Sequence, residues 1–189
     1  MTAGERFSLE YVKALWALSE LKSPRTIRHY RDSKVLAFRE QLGTTTLRLE
    51  DSASPEFRML LEMFEDARGK FLHMYLNGIS EFVFEMWSVE RLREIRAMLQ
   101  MDPLGEGRLI SVLAYSLSPP PEGTDDGDPR VAAALAAASD RPFQVNEPVI
   151  VGLYDGSQVL IDGYYRILMF MRSAGAQDRI PVLAPVPRP

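Results

Sequence analysis

The chain has 189 residues, 46% of them hydrophobic and 25% charged, which is enough apolar material for one large or two small folded domains. It has no cysteine, which excludes disulfides, thiolate metal sites and cysteine nucleophiles. It has only two histidines, and this small number argues against a histidine zinc centre or a serine-histidine triad. The net charge of −4 does not indicate general nucleic-acid binding. No apolar run approaches the roughly 20 residues of a membrane span. We therefore expect a cytoplasmic protein.

The first hundred residues have the pattern of helices. Ser8 can cap a helix that continues to about Leu21, and Ser23-Pro24 starts a second helix that ends at Gly43. Basic side chains recur at every third position from the end of the first helix: Lys22, Arg25, Arg28, Arg31 and Lys34. They form either an ordinary solvated surface or a patch in which Arg25, Arg28 and Arg31 contact DNA phosphates.

Further helices are predicted up to about residue 101. Ser54-Pro55 starts a long helix that Asn77-Gly78 breaks, and Ser88 caps an amphipathic helix that extends to about Met101. The segment Asp102-Pro103-Leu-Gly-Glu-Gly107 is the best candidate for a domain boundary. We therefore predict an α+β protein in which residues 1–103 form an all-helical domain.

The second half alternates strands and helices. Leu109–Ser116 is predicted as a strand, Ser118–Asp128 as an acidic proline-rich loop, and Arg130–Ser139 as a helix. Two strands joined by the turn Asp155-Gly156 follow, and a helix ending at Gly175 leads into a last strand. The order is that of a compact α/β unit with a small mixed sheet over residues 104–189.

The corner at Asp162-Gly163, where the hairpin passes into the helix, is the most informative feature. Glycine at such a corner leaves several backbone N–H groups free, and the helix dipole adds partial positive charge. Arg166 adds a planar cationic fork in the first turn. The corner therefore suits a phosphate, although Arg166 could instead form a structural salt bridge.

Other side chains around this corner have two interpretations each. Asp162 is either the helix N-cap or a Mg²⁺ ligand, and Glu147 is a candidate to orient water or bind a metal ion. Tyr164 and Tyr165 either cover the sheet or contact a nucleotide base or phosphate. Ser118, at the start of the acidic loop, could reach a phosphate.

Residues 105–187 resemble the ParB/sulfiredoxin superfamily. The matching features, in the family order, are the helix Pro129–Ser139, the approach Asp140-Arg141-Pro142, the strand Pro148–Val151, the motif Gly163-x-x-Arg166 and the closing Ile180-Pro181-Val182. The resemblance implies a nucleotide site formed by Gly163, Tyr164, Tyr165 and Arg166, with Ser118 nearby. It also implies Arg166, Glu147 and Asp162 as catalytic residues, with the two carboxylates holding a divalent ion.

The departures from the family pattern exclude some of the activities that the resemblance would otherwise imply for this protein. Tyr164 and Tyr165 stand where sulfiredoxins have a catalytic cysteine and a histidine, which excludes sulfinic-acid repair. The DNA reader and dimerisation tail of partition proteins are not expected, because the sequence ends at Pro189.

Stand-alone members that carry a helical N-terminal domain include plasmid fertility-inhibition proteins. This resemblance implies ATP hydrolysis with Mg²⁺ or another divalent ion, DNA cleavage, and action at the coupling protein of a conjugative or T-DNA (type IV) secretion system. It implies recruitment to the inner face of the membrane. The alternative is a non-catalytic protein that inhibits a partner through its helical domain.

Overall fold

The computed structural model describes residues 1–22, 33–42, 53–66, 70–98, 147–175 and 177–186. The predicted strand, acidic loop and alanine-rich helix of residues 109–139 lie outside these ranges, as do Ser118, Arg25, Arg28, Arg31 and the predicted boundary near residue 103. The helices are α1 (Leu9–Lys22), α2 (Ser33–Leu42), α3 (Pro55–Phe64), α4 (Lys70–Leu76), α5 (Val89–Leu92) and α6 (Tyr164–Ser173). The strands are β1 (Arg6–Ser8), β2 (Glu81–Trp87), β3 (Arg96–Ala97), β4 (Val149–Tyr154), β5 (Ser157–Asp162) and β6 (Ile180–Pro185).

These strands form one mixed sheet in the order β1-β2-β6-β4-β5-β3. β4 and β5 are the predicted antiparallel hairpin, whereas β6 runs parallel to β4 and β3 runs parallel to β5. The turn residues Asp155 and Gly156 both have positive φ, as a tight two-residue hairpin turn requires. The α+β class is therefore confirmed.

An all-helical domain over residues 1–103 is not what the structure has, because three of the strands come from that part of the chain. The clearest is β2, in which Phe82 and Phe84 are buried together with Trp87. Aromatic and β-branched residues are typical of strands, and β2 contains Phe82, Val83, Phe84 and Trp87 within seven residues. The backbone N–H and C=O groups of β2 form their hydrogen bonds with neighbouring strands. A search for helical periodicity along the sequence cannot reveal this pairing.

The predicted helix from Ser88 to Met101 is wrong beyond its first turn. Ser88 does cap it, since its hydroxyl accepts a hydrogen bond from the Arg91 N–H at 3.4 Å. The helix then ends at Leu92, and Arg96 and Ala97 pair in parallel with Val159 and Leu160 of β5. Backbone pairing along the sheet, together with burial of Ile95, outweighs the amphipathic pattern.

The helix starts predicted at Ser8 and Ser54 agree with the structure, and the start predicted at Ser23-Pro24 lies outside the described residues. The Ser8 hydroxyl accepts from the Tyr11 N–H and the Ser54 hydroxyl accepts from the Phe57 N–H, both at 3.1 Å. α4 is followed by Asn77 and Gly78, and Gly78 has a φ of 78°. Capping hydroxyls satisfy N–H groups that have no partner within the helix, which is why these short motifs are reliable signals.

The chain divides into two compact units, one of residues 1–5 and 83–185 and one of residues 6–82 and 186–189. The first, here called the sheet unit, has a core in which α6 contributes Ile167 and Leu168 beside the strand residues Val149, Val151 and Val182. The second, here called the helical unit, has a core in which the Trp16 and Phe64 rings meet edge to face at 4.9 Å. Each unit therefore has its own apolar interior.

Replacing Leu60 by alanine should lower the free energy of unfolding by about 2–5 kcal/mol, because the side chain is fully buried in α3 and would leave a cavity. Met74→Ala is the control, since Met74 is 47% exposed and its truncation should change stability by less than about 0.5 kcal/mol. Urea unfolding of both variants measures the difference. Equal stability losses would contradict the assignment of Leu60 to the core.

Candidate functional site

The predicted corner is present at the edge of the sheet. β5 ends at Asp162, which pairs with Ile150, and Gly163 caps α6 with a left-handed φ of 93°. The first helical bond joins the Ile167 N–H to the Gly163 carbonyl at 2.9 Å. The chain thus passes from strand to helix within a single residue.

Both backbone angle and space require glycine at position 163. A Cβ atom there would lie 2.4 Å from Cγ1 and 2.8 Å from Cβ of Val149, and 3.2 Å from Nε of Arg166. Val149 is itself fully buried at the start of β4 and cannot move aside. The turn therefore brings the backbone into direct contact with the neighbouring strand, and Arg166 lies against it.

Arg166 bridges two carboxylates, one at the end of β5 and one just before β4. One terminal nitrogen donates to the Asp162 carboxylate, four residues earlier in the chain. The other lies 3.3 Å from Oε2 and 3.4 Å from the carbonyl oxygen of Glu147, two residues before β4. The three charged residues that the sequence singled out as catalytic are thus brought together.

This arrangement excludes one of the two interpretations of Asp162, that of the helix N-cap. The helix N-cap is Gly163, without a side-chain capping bond, so the N-cap interpretation of Asp162 is wrong. Its carboxylate instead pairs with Arg166. The salt-bridge interpretation of Arg166 describes the structure as it stands, because each terminal nitrogen of the guanidinium is paired with a carboxylate.

The site is open on the side of Glu147. The Glu147 side chain is 53% exposed, whereas those of Arg166 and Asp162 are 20% and 21% exposed. One guanidinium and two carboxylates leave the cluster with a formal charge of −1. Solvent reaches the carboxylate that was predicted to orient water, while the Asp162–Arg166 pair lies deeper.

The two tyrosines are the first residues of α6. Tyr164 is partly buried and packs against the core of the sheet unit, in agreement with the interpretation that at least one tyrosine covers the sheet. The backbone of Tyr165 continues the helix beside it. The corner thus offers its backbone and Arg166, more than the Tyr164 ring, to any ligand.

Further charges that the sequence reasoning missed lie near this edge. β4 and β6 are parallel with Val149 opposite Val182, so Arg179, just before β6, lies at the same sheet edge as Glu147. The pKa of the Glu90 carboxyl is lowered by hydrogen bonds from its own backbone N–H and from Ser88, and further by the charges of Arg93 and Arg179. Of these residues, the sheet register places Arg179 at the same end of the sheet as Glu147, which the sequence alone does not show.

The helical unit contains an open acidic groove of about 520 Å³ that was not foreseen. Its lining consists of Glu10, Lys13, Leu61, Glu62, Glu65 and Asp66. Lys13 pairs with Glu65 at 2.6 Å and lies 5.4 Å from the centre of the Phe64 ring. The helical spacing of Glu62, Glu65 and Asp66 was a signal, but the sequence does not show which helix faces them.

Within the described ranges, no three His, Cys, Asp or Glu side chains are arranged to hold a metal ion. Two carboxylates at the corner supply hard oxygen ligands of the kind that Mg²⁺ takes, usually with substrate phosphates completing the set. In the same part of the chain, no helix is long and apolar enough to cross a membrane.

Comparison with known proteins gives no relative. No protein family, curated protein or solved structure matches the chain. The resemblance to the ParB/sulfiredoxin superfamily therefore stays a prediction from the sequence motifs.

Replacing Gly163 by alanine should destabilise the protein by about 2–5 kcal/mol, since the left-handed backbone and the clash with Val149 both add cost. Gly78→Ala is the matched control. Gly78 has a similar φ but open space around it, so only the backbone strain of about 1–2 kcal/mol should appear. Thermal unfolding of both variants measures the difference, and equal losses would show that Val149 does not restrict the corner.

Proposed function

We propose that this protein is a ParB/sulfiredoxin-type hydrolase that hydrolyses ATP and cleaves DNA at the Gly163 corner. The observation that carries the proposal is the convergence of Arg166, Glu147 and Asp162 at a strand-to-helix turn. Both reactions break a phosphorus–oxygen bond, so one site that stabilises charge on phosphoryl oxygens serves both.

In ATP hydrolysis, Arg166 would bind oxygens of the transferred phosphoryl group through its planar fork. The backbone N–H groups at the start of α6 face the same negative charge. Glu147, as the most exposed carboxylate of the cluster, would orient the attacking water and accept its proton. A divalent ion held by Asp162 and Glu147 would supply further charge stabilisation when bound.

The biological role follows from the resemblance to plasmid fertility-inhibition proteins. We propose that the protein acts in the cytoplasm, at the inner face of the membrane, and blocks DNA export by a conjugative or T-DNA secretion system. Its partners would be DNA, a nucleotide and the coupling protein of that system. Arg25, Arg28 and Arg31 remain the proposed contacts with the DNA backbone.

A second candidate is a non-catalytic protein that inhibits a partner through its helical unit. Two observations favour it: both ends of the Arg166 fork are paired with carboxylates, and the helical unit presents an acidic groove. Such a groove suits a basic protein surface.

Arg166→Ala should reduce ATP turnover and DNA cleavage by about 100-fold or more, because a positioned donor to the phosphoryl group would be lost. Arg166→Lys should recover only part of the activity, since lysine cannot bind two oxygens in a fixed fork. Arg6→Ala removes an exposed arginine of the pair with Glu81 and should leave turnover unchanged. Phosphate release and plasmid nicking measure the two activities, and full activity of folded Arg166→Ala would refute the hydrolase.

The second candidate is tested by reversing charge in the groove. Removal of residues 1–100 is unsuitable, because it would also remove β2 and β3 from the sheet. If the protein is non-catalytic and the helical unit binds the partner, Glu62→Lys with Asp66→Lys should abolish inhibition of DNA transfer, and the wild type should not hydrolyse ATP. Inhibition that survives this change but is lost in Arg166→Ala would favour the hydrolase.

A further inference from the structure

We propose that the acidic groove of the helical unit binds the basic segment of residues 22–34 from a second copy of this chain. Each copy has one groove and one basic segment, so two copies associate through two equivalent contacts. Such a two-fold arrangement is the commonest form of self-association among soluble proteins. The inference does not depend on the proposed hydrolase activity.

The groove has an excess of negative charge. Its lining contains four carboxylates and one lysine, which gives a formal charge of −3: Glu10, Glu62, Glu65, Asp66 and Lys13. The lysine is paired with Glu65 at 2.6 Å. In the part of the chain that the structure describes, the exposed carboxylates of Glu10 and Glu62 form no ion pair. These two carboxylates, from different helices, can each pair with an incoming cation.

The carboxylates of α3 oppose the preferences of their own helix. Glu62 lies three and four residues before Glu65 and Asp66, a spacing that brings like charges together along a helix. The last turn of α3 contains no basic residue, although the negative end of the helix dipole favours cations. Charges that act against local stability indicate a binding role, and a cationic partner would relieve both effects.

The basic segment has the complementary charge. It contains one acidic residue, Asp32, and five basic residues, which gives a formal charge of +4 with histidine neutral: Lys22, Arg25, Arg28, Arg31 and Lys34. Ile27 and Tyr30 lie between these arginines in the sequence and would add apolar contact with Leu61 of the groove. Opposite charges on two surfaces speed their encounter and fix their register.

The position of the segment favours a second copy over the same chain. Glu10 and Lys13 lie in the first half of α1, and Lys22 is the last residue of that helix. Lys22 follows Glu10 by 12 residues, which is about 18 Å along a helix axis. The helix therefore holds the start of the segment away from its own groove. A second copy can present the whole segment without this restriction.

The oligomeric state of the full-length protein tests the proposal. Sedimentation velocity is measured over a range of protein concentrations, without nucleotide and without nucleic acid, because Arg25, Arg28 and Arg31 are also the proposed DNA contacts. We expect the wild type to pass from monomer to dimer as its concentration rises. High salt should reverse the association, since it screens exposed charges.

Charge reversal on either side should prevent the association. Glu10→Lys with Glu62→Lys changes the groove, and Arg28→Glu with Arg31→Glu changes the basic segment. Each double variant should raise the dissociation constant of the dimer by about tenfold or more, because close charge pairs across an interface couple by at least that factor.

The matched control reverses two carboxylates outside the groove. Glu40 and Glu56 are exposed residues of the helical unit and do not line the groove. Glu56 is in the first turn of α3, as Glu10 is in the first turn of α1. Glu40→Lys with Glu56→Lys therefore makes the same change in total charge and should associate as the wild type does. Equal weakening in this control would show that net charge, and not the groove, governs association.

A mixture of the two interface variants shows whether the contact joins two chains. The groove variant keeps an intact basic segment, and the segment variant keeps an intact groove. An equimolar mixture should therefore form a mixed dimer through one remaining contact, which binding within a single chain could not produce. Absence of the mixed dimer would refute the exchange between copies. A wild type that stays monomeric would refute the self-association, assign the groove to a basic surface of another protein and leave the hydrolase proposal untouched.

Discussion

The shared guanidinium of Arg166 is the interaction on which this site depends. It joins the end of β5 and the first turn of α6, which are adjacent in the sequence, to the approach to β4, 19 residues before Arg166. Charges that are partly removed from water need partners, and here one cation serves two carboxylates. The arrangement stabilises the corner.

Packing at Gly163 explains why the cluster is positioned as it is. The side chain of Val149 occupies the place where a Cβ atom would be, so the corner lies directly against β4. That contact brings Glu147, two residues before the strand, within reach of an arginine 19 residues later. A rigid apolar contact thus determines the position of a charged site, and in binding sites it is common for packed residues to hold the polar groups in place.

The two units differ in the ligands that their surfaces suit. The sheet unit has a mixed cluster, in which an arginine accompanies two carboxylates, whereas the groove of the helical unit has four carboxylates and one lysine. The strongly acidic groove of the second is complementary in charge to a basic protein surface. A catalytic unit and a partner-binding unit would be compatible in one protein, because each uses its own core.

Short local signals in the sequence determined the helix caps at Ser8, Ser54 and Ser88, because each hydroxyl bonds a backbone N–H three residues later. They also determined the Asp155-Gly156 hairpin and the corner at Gly163, because these residues themselves adopt the positive φ angles that the turns require. The tertiary structure decided that β2 and β3 join the sheet and that the helix from Ser88 ends at Leu92, since strand pairing involves distant partners that local periodicity does not contain. It also decided the pairing of Arg166. Asp162 and Arg166 are four residues apart, but the packing of Val149 against Gly163 was needed to bring Glu147 to the same guanidinium.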